Sequence, residues 1–245
     1  MRLFLFSAFP REVREVVRLA GQRERIEGLP FKAVRASLSP HTLIVAETGL
    51  GVENAGRVFL RLLASETPDA VISAGYCGAL SHDAAVGDVI WAESICFIDS
   101  QNPEALSLPD GSGLLKALSL RAPVRAGTFL TMAEWRKKGE VLPLVTPDMA
   151  LPVCDMETFP IARLCRDRGL PFYGLRAVSD LAGKDLGFDP RSVCDAKGVY
   201  RLSRALRLFL TKPSLIAQAA ELRRTSKTAS RNLSQALAAL LEILE

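Results

Sequence analysis

Histidine is scarce in this sequence, which contains only His41 and His82 among 245 residues. Two imidazoles argue against a multi-histidine metal site and against proton transfer that uses several histidines. We therefore expect the acid–base chemistry of this protein to depend on carboxylates, and neither histidine to be required for it.

Paired cysteines are missing as well. The chain has five cysteines, an odd number, which lie far apart and form no C-x-x-C pair. This pattern argues against a disulfide framework or a zinc site and predicts reduced thiols in a cytoplasmic protein. The cysteines are Cys77, Cys96, Cys154, Cys165 and Cys194.

The sequence also lacks a long apolar run. The N-terminal run Leu3-Phe4-Leu5-Phe6 ends at Ser7, which is short for a secretory signal, and no segment approaches the roughly 18 apolar residues of a membrane span. The net charge of +4 is small and spread along the chain, so it does not by itself predict a nucleic-acid partner.

What the sequence does contain is typical of a folded α/β protein. Hydrophobic residues make up 49% of the chain and charged residues 24%, a composition that excludes intrinsic disorder. Apolar runs alternate with segments of helical spacing, which predicts a sheet rich in parallel strands. We expect a single domain over residues 1–245, with residues 197–245 as a helical C-terminal extension.

The predicted elements follow from the period of the apolar residues and from the turn residues between them. Strands are predicted at residues 2–8, 31–37, 41–47, 70–75, 87–92, 124–130 and 172–178. Helices are predicted between Pro10 and Gly21, at about residues 52–65 and 158–168, and from residue 197 onward, whereas residues 99–113 are expected to form a loop.

Acidic side chains stand where several predicted strands end. They are Glu12, Glu47, Glu157 and Asp180. Ligand sites of open α/β sheets gather at the carboxyl ends of strands, which favours a functional role for these acids. An acid at this place is also a common helix cap, so position alone leaves both interpretations open.

A set of short motifs favours the functional interpretation. Asp155-Met156-Glu157 precedes a predicted helix, Leu175-Arg176-Ala177-Val178-Ser179-Asp180 ends a predicted strand, and Glu12 follows the first strand. The others are Thr48-Gly49-Leu50-Gly51 with Asn54-Ala55, the glycine turn within residues 73–80, and Val86-Gly87-Asp88-Val89. In this order, the chain resembles the nucleoside phosphorylase and nucleosidase superfamily, particularly 5'-methylthioadenosine/S-adenosylhomocysteine nucleosidases. The resemblance implies a three-layer α/β/α fold with a large mixed central sheet.

The resemblance also implies roles for the residues of these motifs. Asp180 matches the acid that protonates N7 of a leaving purine, with Ser179 beside it. Apolar neighbours are expected to keep Asp180 protonated, since an ionised carboxylate cannot donate. Glu157 matches the carboxylate that accepts the ribose hydroxyls and favours a cationic transition state, and Met156 the thioether against the sugar.

Glu12 bears on the nucleophile. In the hydrolytic branch of the family a glutamate at this place activates water, and Arg176 matches the arginine that orients it. A carboxylate would repel phosphate, which favours hydrolysis. Arg11, one residue earlier, keeps phosphorolysis open as an alternative.

Two segments depart from the family pattern. The glycine turn carries Tyr76 and Cys77 between Gly75 and Gly78, where the nucleosidases have a smaller hydroxyl residue. The two glycines still allow a ligand to approach the backbone closely, and Cys77 is expected to be a small buried residue and not a nucleophile. Trp135 is equally suited to stack on a purine and to cover the core.

The tail after Asp180 is longer than in the methylthioadenosine enzymes. It resembles that of hopanoid-associated nucleosidases or phosphorylases, which release adenine from adenosylhopane, and futalosine hydrolases are a further relative. A basic cluster lies on the last helical segment, opposite a leucine series: Arg223, Arg224, Lys227 and Arg231. A solvated helix face explains the cluster, and a peripheral membrane contact of the C-terminal helix is the alternative.

We therefore expect a cytoplasmic homodimer or larger homo-oligomer that hydrolyses the N-glycosidic bond of a 5'-modified adenosine, such as adenosylhopane, methylthioadenosine, adenosylhomocysteine or futalosine. No metal or organic cofactor is expected, and phosphate is the co-substrate in the phosphorolytic alternative. A third hypothesis is a non-catalytic nucleoside- or lipid-binding protein whose nucleophile site is closed by Tyr76.

Overall fold

The computed structural model describes residues 1–99 and 103–244. The strands are β1 (Arg2–Ser7), β2 (Gln22–Arg25), β3 (Ala33–Leu38), β4 (His41–Glu47), β5 (Ala70–Ala79), β6 (Val89–Ile98), β7 (Glu104–Ser107), β8 (Val124–Met132), β9 (Val153–Asp155) and β10 (Phe172–Asp180). The helices are α1 (Arg14–Leu19), α2 (Val52–Leu63), α3 (Ser112–Ser119), α4 (Lys138–Val141), α5 (Thr158–Arg166), α6 (Leu202–Thr211) and α7 (Leu215–Ile243). Within the described residues, no helix combines the length and apolarity needed to cross a membrane.

These strands form one mixed sheet, as the sequence predicts. Strand β5 pairs with β1 and β10 in parallel, and β4 pairs with β1 in parallel. Strand β10 also pairs with β6, which continues through β8 and β9 back to β5, so five strands close into a ring. Strands β4, β3 and β2 extend the sheet on the far side of β1. The ring places the carboxyl ends of β5 and β10 beside the start of α5.

The predicted elements are largely present, and five short strands and helices are added, namely β2, β7, β9, α3 and α4. Residues 99–113 were expected to form a loop, but Glu104–Ser107 is strand β7 and α3 begins at Ser112; residues 100–102 lie outside the described residues. Strand β2 is fully exposed and joins the sheet only through its pairing with β3. Strand β9 has three residues. Neither segment is long or periodic enough to be recognised without its partner strand.

The helical extension has two parts with different surroundings. The second half of α7 packs on β10 and α1, and its leucines Leu233, Leu237 and Leu240 belong to the same buried cluster as Leu3 and Leu5 of β1. In α6, by contrast, Ala205 is the fully buried residue. The leucine series of α7 is therefore core, whereas α6 lies on the surface.

Candidate active site

A cavity of about 540 Å³ opens where β1, β5 and β10 end. Most of the predicted site residues line this single cavity: Glu12, Tyr76, Cys77, Gly78, Trp135, Met156, Glu157, Ser179 and Asp180. The other two, Gly75 and Arg176, lie directly behind its wall. The topology thus brings together residues that are up to 168 positions apart in the sequence.

Glu12 is buried at the end of β1 and is held by three donors. Its Oε2 accepts the Ser7 hydroxyl at 2.7 Å and the Phe9 amide at 3.0 Å, and its Oε1 accepts the Tyr76 amide at 3.3 Å. A carboxylate fixed in this way is positioned to accept a proton from a molecule in the cavity. Tyr76 thus contributes its backbone amide to the site that, in the non-catalytic hypothesis, its side chain closes.

Arg176 makes its direct contacts with acids other than Glu12, and its expected role in orienting water stays a prediction. Its guanidinium, 1% exposed, lies 2.7 Å from Oδ2 of Asp155 and 3.6 Å from Oε2 of Glu157. It also donates to the Thr158 hydroxyl at 2.9 Å. Burial alone would lower the pKa of Arg176, but the surrounding carboxylates outweigh burial and raise it. Arg176 therefore balances the negative charge of Asp155 and Glu157. It also interacts with the Glu12 carboxylate through charge.

Glu157 is the acid whose protonation is most affected by its surroundings. It stands at the N-terminus of α5, and its Oε1 accepts the Gly51 amide at 2.9 Å. Burial raises the pKa of Glu157 to about 7, and the Asp155 carboxylate adds to this effect, whereas Arg176 opposes it. Glu157 thus changes charge near neutral pH.

Asp180 is held by Lys138, a residue that no sequence motif indicated. Lys138 Nζ lies 2.6 Å from Oδ2 of Asp180 and donates to the carbonyl oxygens of Asp180 and Leu181, at 3.2 and 2.5 Å. The Ser179 hydroxyl donates to Oδ1 of Asp180 at 2.7 Å. The prediction that the Asp180 carboxyl has apolar surroundings is therefore wrong, because both of its oxygens accept from polar donors.

Two glycines of β5 create the space for these contacts. A Cβ atom on Gly75 would lie 2.2 Å from Nη1 of Arg176 and 3.1 Å from Oε2 of Glu12. A Cβ on Gly78 would lie 2.9 Å from Oδ2 of Asp180 and 3.0 Å from Cε of Lys138. Both glycines are therefore required so that these side chains can pack against the backbone of β5. The same glycines also allow a ligand to approach that backbone.

The remaining predicted residues differ in character. Burial raises the pKa of Cys77 well above its usual value, so this thiol is not an activated nucleophile. Burial also raises the pKa of Tyr76 to about 12. Trp135 lines the cavity and packs against the buried cluster that contains Met132 and Met156, so both roles considered for it are compatible with its position.

Asp155, like Lys138, contributes to the site although no role was predicted for it. Its Oδ2 caps α5 by accepting the Thr158 amide at 2.8 Å, and its Oδ1 accepts the Thr131 hydroxyl at 2.6 Å. Its position two residues before Glu157 indicated that Asp155 lies close to the site. Lys138 carried no comparable signal, because it ends a run of three basic residues, Arg136-Lys137-Lys138, which is typical of an exposed surface.

The segment after Asp180, including the helical extension, supplies the outer wall of the cavity. The apolar lining residues beyond Asp180 are Leu186, Phe188, Pro190, Val193, Tyr200, Ala205, Phe209, Ala219, Ala220 and Leu222. Arg11 also lines the cavity, with its guanidinium 5.4 Å from the Phe9 ring and 6.0 Å from the Tyr200 ring. The cavity thus has a polar end at the strands and a mainly apolar end formed by residues after Asp180, where Asp185, Arg223 and Ser226 are the polar lining residues.

Known proteins resemble this chain in sequence and in fold. A 5'-methylthioadenosine/S-adenosylhomocysteine nucleosidase of Shewanella piezotolerans is 26% identical, covering 77% of this chain and 90% of the relative. A nucleosidase of the same name from Bacillus cereus is 25% identical, covering 76% of this chain and 88% of the relative.

Two solved structures share the fold. The 5'-methylthioadenosine/S-adenosylhomocysteine nucleosidase of Neisseria meningitidis, in complex with methylthio-immucillin-A, has a TM-score of 0.73 at 18% identity and covers 99% of both chains. Futalosine hydrolase of Helicobacter pylori has a TM-score of 0.72 at 15% identity and covers 99% of this chain and 98% of its own.

The family itself is shown by the sequence. The family model described as the phosphorylase superfamily matches residues 2–211, which include every predicted site residue. The chain therefore belongs to the phosphorylase superfamily.

Proposed function

We propose that this protein is a purine nucleosidase that hydrolyses the N-glycosidic bond of a 5'-modified adenosine. The observation that carries the proposal is that Glu12, Glu157 and Asp180 line one cavity. Relatives named as nucleosidases support the same reaction class. Base protonation and carboxylate charge suffice for the step, so we expect no metal or organic cofactor.

The roles follow from the positions of the three acids. Asp180 donates a proton to N7, the bond between C1' and N9 breaks, and the adenine leaves neutral. Glu157 binds the ribose hydroxyls and stabilises positive charge on the ribosyl group. Glu12 accepts a proton from the attacking water. Because Asp180 accepts from Lys138, we propose that the Lys138 ammonium supplies the proton that Asp180 passes on.

The apolar end of the cavity supports a hydrophobic 5' substituent. Phe188, Val193 and Phe209 are among the residues that line it, and each methylene group buried there contributes about 0.8 kcal/mol. This favours a substrate such as adenosylhopane over adenosylhomocysteine, whose 5' group carries charges. Homo-oligomer formation remains a prediction from the resemblance, and light scattering in solution measures it.

Release of free base tests the proposal directly. The substrates to compare are methylthioadenosine, adenosylhomocysteine, futalosine and an adenosine with a long 5'-alkyl chain. We expect the alkyl adenosine to have the highest kcat/KM. An Asp180→Asn variant should lose about 10²- to 10⁴-fold in kcat, whereas Asp167→Asn, an exposed control, should retain full activity. Full activity of Asp180→Asn would contradict the assignment of the acid.

Phosphorolysis is the second candidate, and Arg11 supports it because it lines the same cavity. A phosphorylase would form a ribose 1-phosphate and stop when phosphate is removed, whereas the hydrolase continues. Tight binding of all four nucleosides without turnover would instead support the non-catalytic hypothesis.

A further inference from the structure

Positive charge is concentrated in one part of the chain, contrary to the even spread expected from the sequence. Residues 197–231 contain nine lysines and arginines but a single acid, Glu221. Since the whole chain carries only +4, the remainder is net negative. These 35 residues run from Lys197 through α6 and the turn after it to Arg231 in α7.

The same segment exposes a row of leucines. Leu202, Leu206 and Leu210 recur every four residues along α6, which places them in one stripe. We call these three residues the leucine stripe, and they are 64%, 54% and 82% exposed. Ile216, at the start of α7, is also 55% exposed. Ala205 and Phe209 on the neighbouring face line the cavity, so α6 separates the cavity from this apolar surface.

Basic side chains accompany the leucine stripe. Arg207 lies between two of its leucines, and Lys212 follows the last of them in the turn to α7. Both side chains are exposed. Exposed leucines flanked by cations are the composition of a helix that lies in the surface of an anionic membrane.

We propose that α6 and the turn to α7 dock on an anionic lipid bilayer, with the leucine stripe in the interface and the cations against the lipid headgroups. The contact differs from the one predicted on the C-terminal helix, which places the basic cluster of Arg223, Arg224, Lys227 and Arg231 on the headgroups. The leucines opposite that cluster, Leu233, Leu237 and Leu240, are buried in the protein. The proposal does not depend on the proposed reaction, since it concerns surface binding alone.

The charge distribution argues against other occupants. A second copy packed on this face by a two-fold axis would bring the same basic segment against itself, and like charges would repel. A nucleic acid would satisfy the cations but would leave the leucine stripe in water. A bilayer with anionic lipids satisfies both features.

Co-sedimentation with lipid vesicles tests the proposal. We expect the whole chain to bind vesicles of phosphatidylcholine and phosphatidylglycerol and to bind pure phosphatidylcholine far more weakly. Leu206→Ser/Leu210→Ser should weaken binding about tenfold or more. Arg207→Gln/Lys212→Gln should weaken it about fivefold for each charge removed. None of these residues lines the cavity, so turnover of a water-soluble nucleoside should be unchanged.

Matched controls separate this surface from general effects. Leu19→Ser/Leu120→Ser removes two leucines that are 59% and 84% exposed on other elements, and Lys116→Gln/Arg168→Gln removes two exposed charges elsewhere. Both control variants should bind vesicles like the unmodified protein. Equal losses in the controls, equal binding to neutral vesicles or no binding at all would overturn the proposal.

Two further results would assign the surface to another occupant and overturn the proposal. One is an oligomer that the leucine variant dissociates, without vesicle binding. The other is DNA or RNA binding that the charge variant weakens and the leucine variant leaves unchanged, again without vesicle binding. Failure of vesicle binding would leave base release intact, so the two proposals fail separately.

Discussion

At the scale of single residues, the ion pair between Lys138 and Asp180 is central to the proposed chemistry. The three N–H groups of the ammonium have three acceptors, namely Asp180 Oδ2 and two carbonyl oxygens. The lysine is therefore fixed in place, and it in turn fixes the carboxyl group that is expected to protonate the base.

Replacing Lys138 tests this role. Loss of a charge-assisted hydrogen bond costs about 1.5–3 kcal/mol, so Lys138→Met should lower kcat about 10- to 100-fold with a smaller change in KM. Lys138→Arg keeps the charge but cannot release a proton, so it should recover only the part of the loss that comes from positioning Asp180. The matched control is Lys137→Met, because Lys137 is exposed. A loss confined to KM would show that Lys138 acts only in binding.

Glu157 predicts the pH dependence of the reaction. Its ionised form is the one that stabilises a ribosyl cation, and burial raises its pKa to about 7. We therefore expect kcat/KM to rise with pH and to level off above about 7. Glu157→Gln should have low activity without this rise, whereas Glu140→Gln, at an exposed position, should keep it. A flat profile for the unmodified enzyme would contradict the assignment.

The same pKa shift affects the free energy of unfolding. Its pH dependence is opposite to that of a carboxylate whose pKa is lowered by folding. Because the folded protein holds the Glu157 proton more tightly than the unfolded chain does, stabilisation by this group is complete below the ordinary pKa of 4.5. It is lost as the pH rises toward about 7. Glu157→Gln should remove this component from the pH dependence of the unfolding free energy.

At the scale of elements, strand β5 leaves room at Gly75 for the buried guanidinium of Arg176 on the neighbouring strand. The strand pairs with β10 so that Gly75 stands opposite Arg176. A side chain at Gly75 would displace this buried guanidinium from Asp155 and Thr158, and a buried charge that loses its partners is strongly destabilising.

Gly75→Ala tests this arrangement. We expect the free energy of unfolding to fall by about 2–5 kcal/mol, with loss of activity, as measured by urea denaturation. Gly113→Ala is the control, since a Cβ there meets nothing within 4 Å and alanine favours the surrounding helix α3. An unchanged stability of Gly75→Ala would show that Arg176 can move without cost.

The accuracy with which each strand was predicted depended on whether the strand is determined by its own residues or by pairing with other strands. Strand β4 over His41–Glu47 was predicted to the residue because its apolar pattern is local. Strand β5 was predicted to end at Gly75 but continues to Ala79, because pairing with β10 and β9 extends it through the glycine turn. Strand β2 has no apolar pattern at all and exists through pairing alone.

At the scale of the whole molecule, helix α7 joins the extension to the core. The match to the family ends at residue 211, yet the second half of α7 lies on the sheet, and the carbonyl of Leu241 contacts Nε2 of His41 at 2.8 Å. His41 thus has a structural contact, and His82 is exposed. The extension is part of the core at its end and part of the cavity wall at its beginning.

Truncating single leucines distinguishes these two regions. Leu237→Ala should lower the unfolding free energy by about 2–5 kcal/mol, because it opens a cavity in the core. Leu206→Ala should change it by about 0.5 kcal/mol or less, because the side chain is already in water. Thermal or urea unfolding of both variants checks this, and equal effects would contradict the division of the extension.

The sequence by itself determined the family, the alternation of strands and helices, and the acids Glu12, Glu157 and Asp180, because apolar period and local motifs are properties of neighbouring residues. Only the tertiary structure decided what those acids contact. The pairing of Lys138 with Asp180 spans 42 positions, and the closure of five strands into a ring decides it. Likewise, leucines recur in both α6 and α7, and only packing decides which of them are buried and which remain in water.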